Sequence, residues 1–150
     1  MATYDISASS IIPAAPQKIY AILADYRNGH PRILPKPYFL SLSVTEGGYG
    51  EGTVIDFQMK IMGQVQSFHS VITEPSPGRI LVETDTKSGS VTTFSVEPRQ
   101  DQTKSFVTIT TTIQVPDGMV GKIQGWLTAR LLRPIYEKEL KQLEEVVLEK

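Results

Sequence analysis

The sequence predicts a single α+β domain over residues 1–150, with a curved antiparallel sheet of about seven strands wrapped around one long C-terminal helix. Two patterns carry this prediction. From Tyr38 to Val115 the chain alternates apolar and polar residues in short runs separated by Gly, Pro, Asp and Ser clusters, as an antiparallel meander does. After Gly125 no glycine remains, and apolar residues recur at helical spacing to the end of the chain.

Thr3 to Ile12 alternates with period two and predicts the first strand, stopped by Pro13. Pro16 suits a first helical turn, and Ile19, Ile22, Leu23 and Tyr26 then recur on one helical face until Asn28, Gly29 and Pro31 end it. Prolines 31, 35 and 37 forbid a second long helix, leaving a bent connector with room for one more turn at Arg32–Leu34. Tyr38 to Thr45 is the next strand, with Tyr38, Leu40, Leu42 and Val44 on one face, and the glycine cluster at 47–52 turns the chain. Val54 to Ile61 gives the cleanest alternation, Ile55, Phe57, Met59 and Ile61 against Val54, Asp56, Gln58 and Lys60. Met62-Gly63 is a tight turn, and Val65 to Thr73 carries apolar residues on both faces. Ile80–Thr84 and Thr92–Val96 pair across a turn at Lys87–Ser90, and the β-branched run Phe106–Val115 is the last strand. Asp117 is the expected N-cap of the final helix, which extends for roughly 30 residues and about 45 Å, with a kink expected at Pro134.

Composition narrows the function. A formal net charge of -1 supplies no basic field for nucleic acid or an anionic membrane surface. With no cysteine, disulfides and thiolate chemistry are excluded. No apolar run approaches the roughly 18 residues of a transmembrane segment, and the N-terminus lacks a signal-peptide pattern, so a cytoplasmic location is expected. The glycine cluster at 47–52 is followed by neither helix nor lysine and cannot cradle phosphate, and there is no Gly-x-Ser-x-Gly elbow. His30 and His69 are the only histidines and neither pairs with a carboxylate at ligand spacing, so neither a metal site nor a cofactor is expected. Nothing in the sequence sets the oligomeric state.

A broad curled sheet covered by one helix about 10 Å wide leaves unfilled volume. Ile55, Phe57, Met59, Phe94, Ile109, Ile123 and Leu127 are the expected walls, and an apolar guest the expected occupant; the alternative is that these side chains close on one another as solid core. Polar candidates are few, and each has a plainer structural role. His69 is either a cavity acid/base or a half-exposed strand residue, and His30, before Pro31 on the cavity rim, is either solvated there or catalytic. Arg130 either reaches inward to a polar ligand end or snorkels, Trp126 packs or touches ligand, and Tyr26 and Tyr38 offer hydroxyls or anchor the rim. Asp56, Glu83 and Asp85 read as surface charges.

The segment "PAAPQKIYAILADYRNGHPRILPK", the turn "TEGGYGEGT" and the helix after "VPDG" resemble the polyketide cyclase/dehydrase-like branch of the START-related (SRPBCC) superfamily, over essentially the whole chain. The resemblance implies the helix-grip fold and a hydrophobic cavity for lipids, sterols or polyketides. It carries no single catalytic motif, because members range from carriers to enzymes. The leading expectation is therefore a binding or carrier protein for a small hydrophobic molecule. The alternatives are a cyclase or dehydratase using the cavity as a mould, with Arg130 or His69 as its first candidates, and a protein-interaction module with an exposed apolar patch.

Overall fold

The computed structural model of the protein describes residues 1–149. β1 (Ala2–Ile12) leads into α1 (Pro16–Ala24) and a short 3-10 turn, His30–Ile33. β2 (Phe39–Glu46), β3 (Val54–Ile61), β4 (Gln64–Ser76), β5 (Ile80–Asp85), β6 (Val91–Arg99) and β7 (Lys104–Val115) follow, and α2 (Met119–Val147) ends the fold. One curved antiparallel sheet holds all seven strands in the order β1-β7-β6-β5-β4-β3-β2. Strands β2 to β7 are therefore a plain meander, and only β1 crosses over, pairing along its whole length with β7 from Ala2↔Val115 to Ile12↔Ser105.

Local chemistry accounts for most boundaries. Met62 (φ 52) and Gly63 (φ 79) both occupy the left-handed region, so β3 and β4 are joined by the two-residue turn whose twist matches a hairpin. In β2 a register shift between Phe39 and Ser41 breaks the expected alternation. Phe39 consequently joins Leu42 and Val44 on the concave side, while Leu40 is exposed and Tyr38 lies in the turn ahead of the strand. Asp117 does not cap α2: Gly118 occupies that position at φ 78 with no side-chain cap, and Asp117 instead faces the amino terminus at 3.6 Å. Helix α2 is assigned without a break through Pro134.

The expected face of α2 is corrected in its first half. There the residues turned to the sheet are Gly121, Gly125 and Ala129, not the large apolar ones. Gly125 lies on the ring of Tyr4 in β1, and a Cβ at Gly121 would overlap the carbonyl oxygen of Pro116. Small residues let the backbones approach closely at this end, which leaves Ile123, Trp126 and Leu127 about half exposed, at 52, 52 and 51%. In its second half α2 returns to an ordinary apolar stripe, Leu140, Leu143 and Val147, against the sheet and α1.

The interior has two parts. Around α1 it is solid, with Ile12, Ile19, Leu23, Ile72, Leu81 and Val107 all sealed. Towards the β3–β4 hairpin, beneath α2 from Gln124 to Glu139, it opens into a void.

Candidate functional site

The void measures about 580 Å³ and lies between α2 and the concave face of β3 to β7. Apolar side chains supply much of its wall, Phe57 and Met59 of β3, Phe68 of β4, Phe94 of β6, Ile109 of β7 and Leu132 of α2, interleaved with Gln, Ser and Thr. Phe57 stacks on Phe68, with centroids 4.8 Å apart and planes 16° from parallel. Met62 and Gln64 of the hairpin border the open end.

The inner end is polar. His30 is only 2% exposed, its ring stacked on Tyr26 at 4.5 Å and edge-on to Phe94 at 5.2 Å. Its Nδ1 lies 2.7 Å from the Leu23 carbonyl oxygen, which can only accept, so the Nδ1 proton is fixed there and Nε2 faces Glu83 Oε2 at 3.5 Å. The hydroxyl of Tyr26 donates to that same Oε2 at 2.7 Å. Burial first, and the Glu83 carboxylate second, hold this phenol well above its ordinary range, so it remains a donor. Asp85 is likewise buried, which opposes its charge, but donors from Ser88, the His69 amide and the Lys87 amide prevail and lower its pKa. Across the cavity the Tyr136 hydroxyl pairs with that of Thr111, which in turn pairs with Thr92 at 2.8 Å.

Glu139 is the exceptional group. It is 2% exposed and lines the cavity from α2, and no hydrogen bond from a described residue reaches its carboxyl. No sealed side-chain nitrogen or oxygen among the described residues lacks a partner, so the Glu139 oxygens open onto the void. Burial, reinforced by the charge of Glu83, raises its pKa well above the carboxylate range. Stability therefore depends on pH. Below the unfolded carboxylate pKa both states hold the proton and nothing is lost; as pH rises, the unfolded chain gives up its proton first, and stability falls by up to about 1.4 kcal/mol per pH unit until the folded group ionises. Glu139→Gln is accordingly expected to unfold at a higher temperature than the parent at pH 8, with the gap shrinking towards pH 4. Thermal melts across that range check it, and a gap that is constant or widens on acidification would refute it.

The sequence-derived candidates divide sharply. Phe57, Met59, Phe94 and Ile109 do line the cavity. Ile55 is sealed in the solid core, and Tyr26 stands behind the cavity floor, reaching it through Glu83 and the stacked His30 ring. Tyr38 takes no part in the cavity; its ring lies under Lys138 Nζ at 4.9 Å on the outer side. His69 is on the convex face of the sheet, its Nδ1 2.6 Å from Asp56 Oδ1 on the neighbouring strand, because strand alternation turns Ser70 inward and its neighbour out. Ile123, Trp126, Leu127 and Arg130 lie on the solvent side of α2, with the Arg130 guanidinium over the Trp126 ring at 5.0 Å. With Met119 and Val120 they form the exposed apolar strip that an interaction module would present.

The functional groups that sequence reasoning missed are His30, Glu83, Asp85, Tyr136 and Glu139. Three of these omissions had a signal. Glu83 and Asp85 share the parity of Leu81, and Glu139 sits four residues after Ile135 and four before Leu143, on the buried stripe itself. His30 had none, since only tertiary packing closes the connector over the sheet.

Among the described residues, no group of three or more His, Cys, Asp or Glu could hold a metal ion, and no helix is long and apolar enough to cross a membrane. A family model described as polyketide cyclase/dehydrase and lipid transport matches residues 3–148. The fold is shared with the KanY protein (25% identity, TM-score 0.84, covering 98% of this chain and 99% of that one). It is shared too with a START superfamily protein from Mycobacterium smegmatis (16% identity, TM-score 0.72, 96% and 97% covered). An aromatase/cyclase, Zhui, from Streptomyces sp. R1128 superposes comparably (11% identity, TM-score 0.74, 97% and 94% covered). No curated protein matches the sequence.

Proposed function

Because the chain belongs to the polyketide cyclase/dehydrase and lipid transport family, we propose that it binds a small, largely apolar molecule between α2 and the sheet, with the molecule's polar end turned inward. One observation carries this reading: a void of about 580 Å³ with apolar walls ends on buried polar groups, one of which, Glu139, has no partner within the described protein. An apolar guest would gain the burial energy that those walls offer, and its polar end would satisfy the floor. Native mass spectrometry after gentle purification, followed by titration with lipids, sterols and aromatic polyketides, tests it. A retained small molecule, or saturable uptake from the panel, is the expected result, and rejection of every apolar probe would overturn it.

The enzymatic reading draws on a specific feature of the same floor. Arg130 and His69, its first candidates, face solvent, but His30, Glu83 and Glu139 converge inside the cavity. A cyclase or dehydratase would use such groups to move a proton at a carbon next to a carbonyl. Exchange of the α-hydrogens of a small β-diketone into heavy water, followed by NMR, is then expected to exceed the buffer rate by about 100-fold and to fall in His30→Asn. Exchange at the buffer rate would remove this reading and leave the carrier.

A further inference from the structure

The charge of the cavity lining restricts which polar end it accepts. Three carboxyl groups, Glu83, Asp85 and Glu139, border it, and neither lysine nor arginine does. The single basic group, His30, has one nitrogen committed to the Leu23 carbonyl and the other turned to Glu83. Asp85 is engaged by Ser88 and by the His69 amide, and Glu83 by Tyr26 and His30. Of the three, only the Glu139 carboxyl has no hydrogen-bond partner on either oxygen among the described residues, Glu83 being engaged through Oε2 alone. A carboxylate or phosphate head group would enter this enclosure with no cation to meet it, at the cost that unpaired like charges incur in a dry site.

We propose that the cavity selects an amphiphilic amine, its apolar body between Phe57 and Leu132 and its protonated amino group on Glu139. This rests on the ligand-binding reading above and names the class of ligand. The titratable groups that share the cavity with Glu139 are His30 from the 3-10 turn, Glu83 and Asp85 from β5 and Tyr136 on α2 itself, with Tyr26 behind Glu83. None of these is a lysine or arginine able to neutralise it. Burial keeps the empty carboxyl protonated well above the ordinary range, so an arriving ammonium displaces that proton. The balance is one ammonium bound, one carboxylate formed and one proton passed to the buffer.

The test compares decylamine, 1-decanol and decanoate, which share a chain and differ in the head, by titration calorimetry at pH 7 in two buffers of different ionisation enthalpy. Decylamine is expected to bind at least ~10-fold more tightly than decanol, and decanoate ~100-fold more weakly than decylamine. The amine heat is expected to vary between buffers as release of a proton requires. In Glu139→Gln the amine should lose its advantage over decanol and its buffer dependence. Equal binding of amine and alcohol, or an amine preference that survives Glu139→Gln, would overturn this assignment and leave the cavity reading standing. Failure of all three to bind would overturn the assignment, and the panel of lipids, sterols and aromatic polyketides then decides the cavity reading separately. Should the variant fold poorly, the unsubstituted protein decides alone: decylamine binding no more tightly than decanol would overturn the assignment.

Discussion

Gly121→Ala is expected to cost about 3 kcal/mol or more, because a single methyl group at this position has nowhere to go. It would overlap the carbonyl oxygen of Pro116 and crowd Val115, the last residue of β7. Both obstacles are fixed, one as backbone and the other as a strand residue only 2% exposed. Relief requires the first turn of α2 to move off the end of β7, and Gly125, one turn on, would then leave the Tyr4 ring. Helix propensity alone predicts the opposite sign, since alanine favours a helix interior over glycine by about 1 kcal/mol. Denaturant unfolding decides between the two. The steric account also predicts weaker binding of any cavity ligand, because Gln124 and Thr128 border the void from the turns that would shift. A variant as stable as the parent would show that the close approach of α2 to the sheet is not a constraint.

Phe94→Ala is expected to lose about 3–5 kcal/mol, and for a chain of this length to melt on the order of 10 °C lower. Phe94 stands where the solid core meets the void: it is 2% exposed, packs in the core cluster, and also lines the cavity. Its removal joins new empty volume to the existing cavity, so collapse of the neighbours cannot recover the loss cheaply. It also deprives the His30 ring of the edge contact that, with the Tyr26 stack, holds it in place. The destabilised variant should therefore accept bulkier guests than the parent. Chemical denaturation measures the first effect and a ligand series of graded width the second; a loss below about 1 kcal/mol would mean that the void already extends behind the ring.

Most of the fold could be read from the chain, for reasons that are local. Period-two runs between turn residues gave the strands, and Met62-Gly63 adopts the turn its residue types favour. The uninterrupted apolar periodicity after Gly125 gave α2. The candidate site was far less legible. Four expected wall residues line the cavity, Phe57, Met59, Phe94 and Ile109, and each comes from a strand whose alternation is unambiguous. The expected contributions from α2 fail because side-chain size does not set burial there. On a helix that touches the sheet closely, the small residues Gly121, Gly125 and Ala129 go inward and the large ones stay out.

The sequence by itself determined that seven strands, a short helix and a long helix would form one layer of sheet gripping one rod, since alternation, turn chemistry and helical periodicity all act within a few residues. Tertiary structure alone decided what the grip encloses. Sheet and helix closed over the face that bears Glu83 and Asp85, the connector carried His30 from an expected rim to a buried floor, and α2 brought Glu139 into the same cavity. The physical reason is that burying a charge depends on distant parts of the chain closing around it, and no local preference encodes that closure.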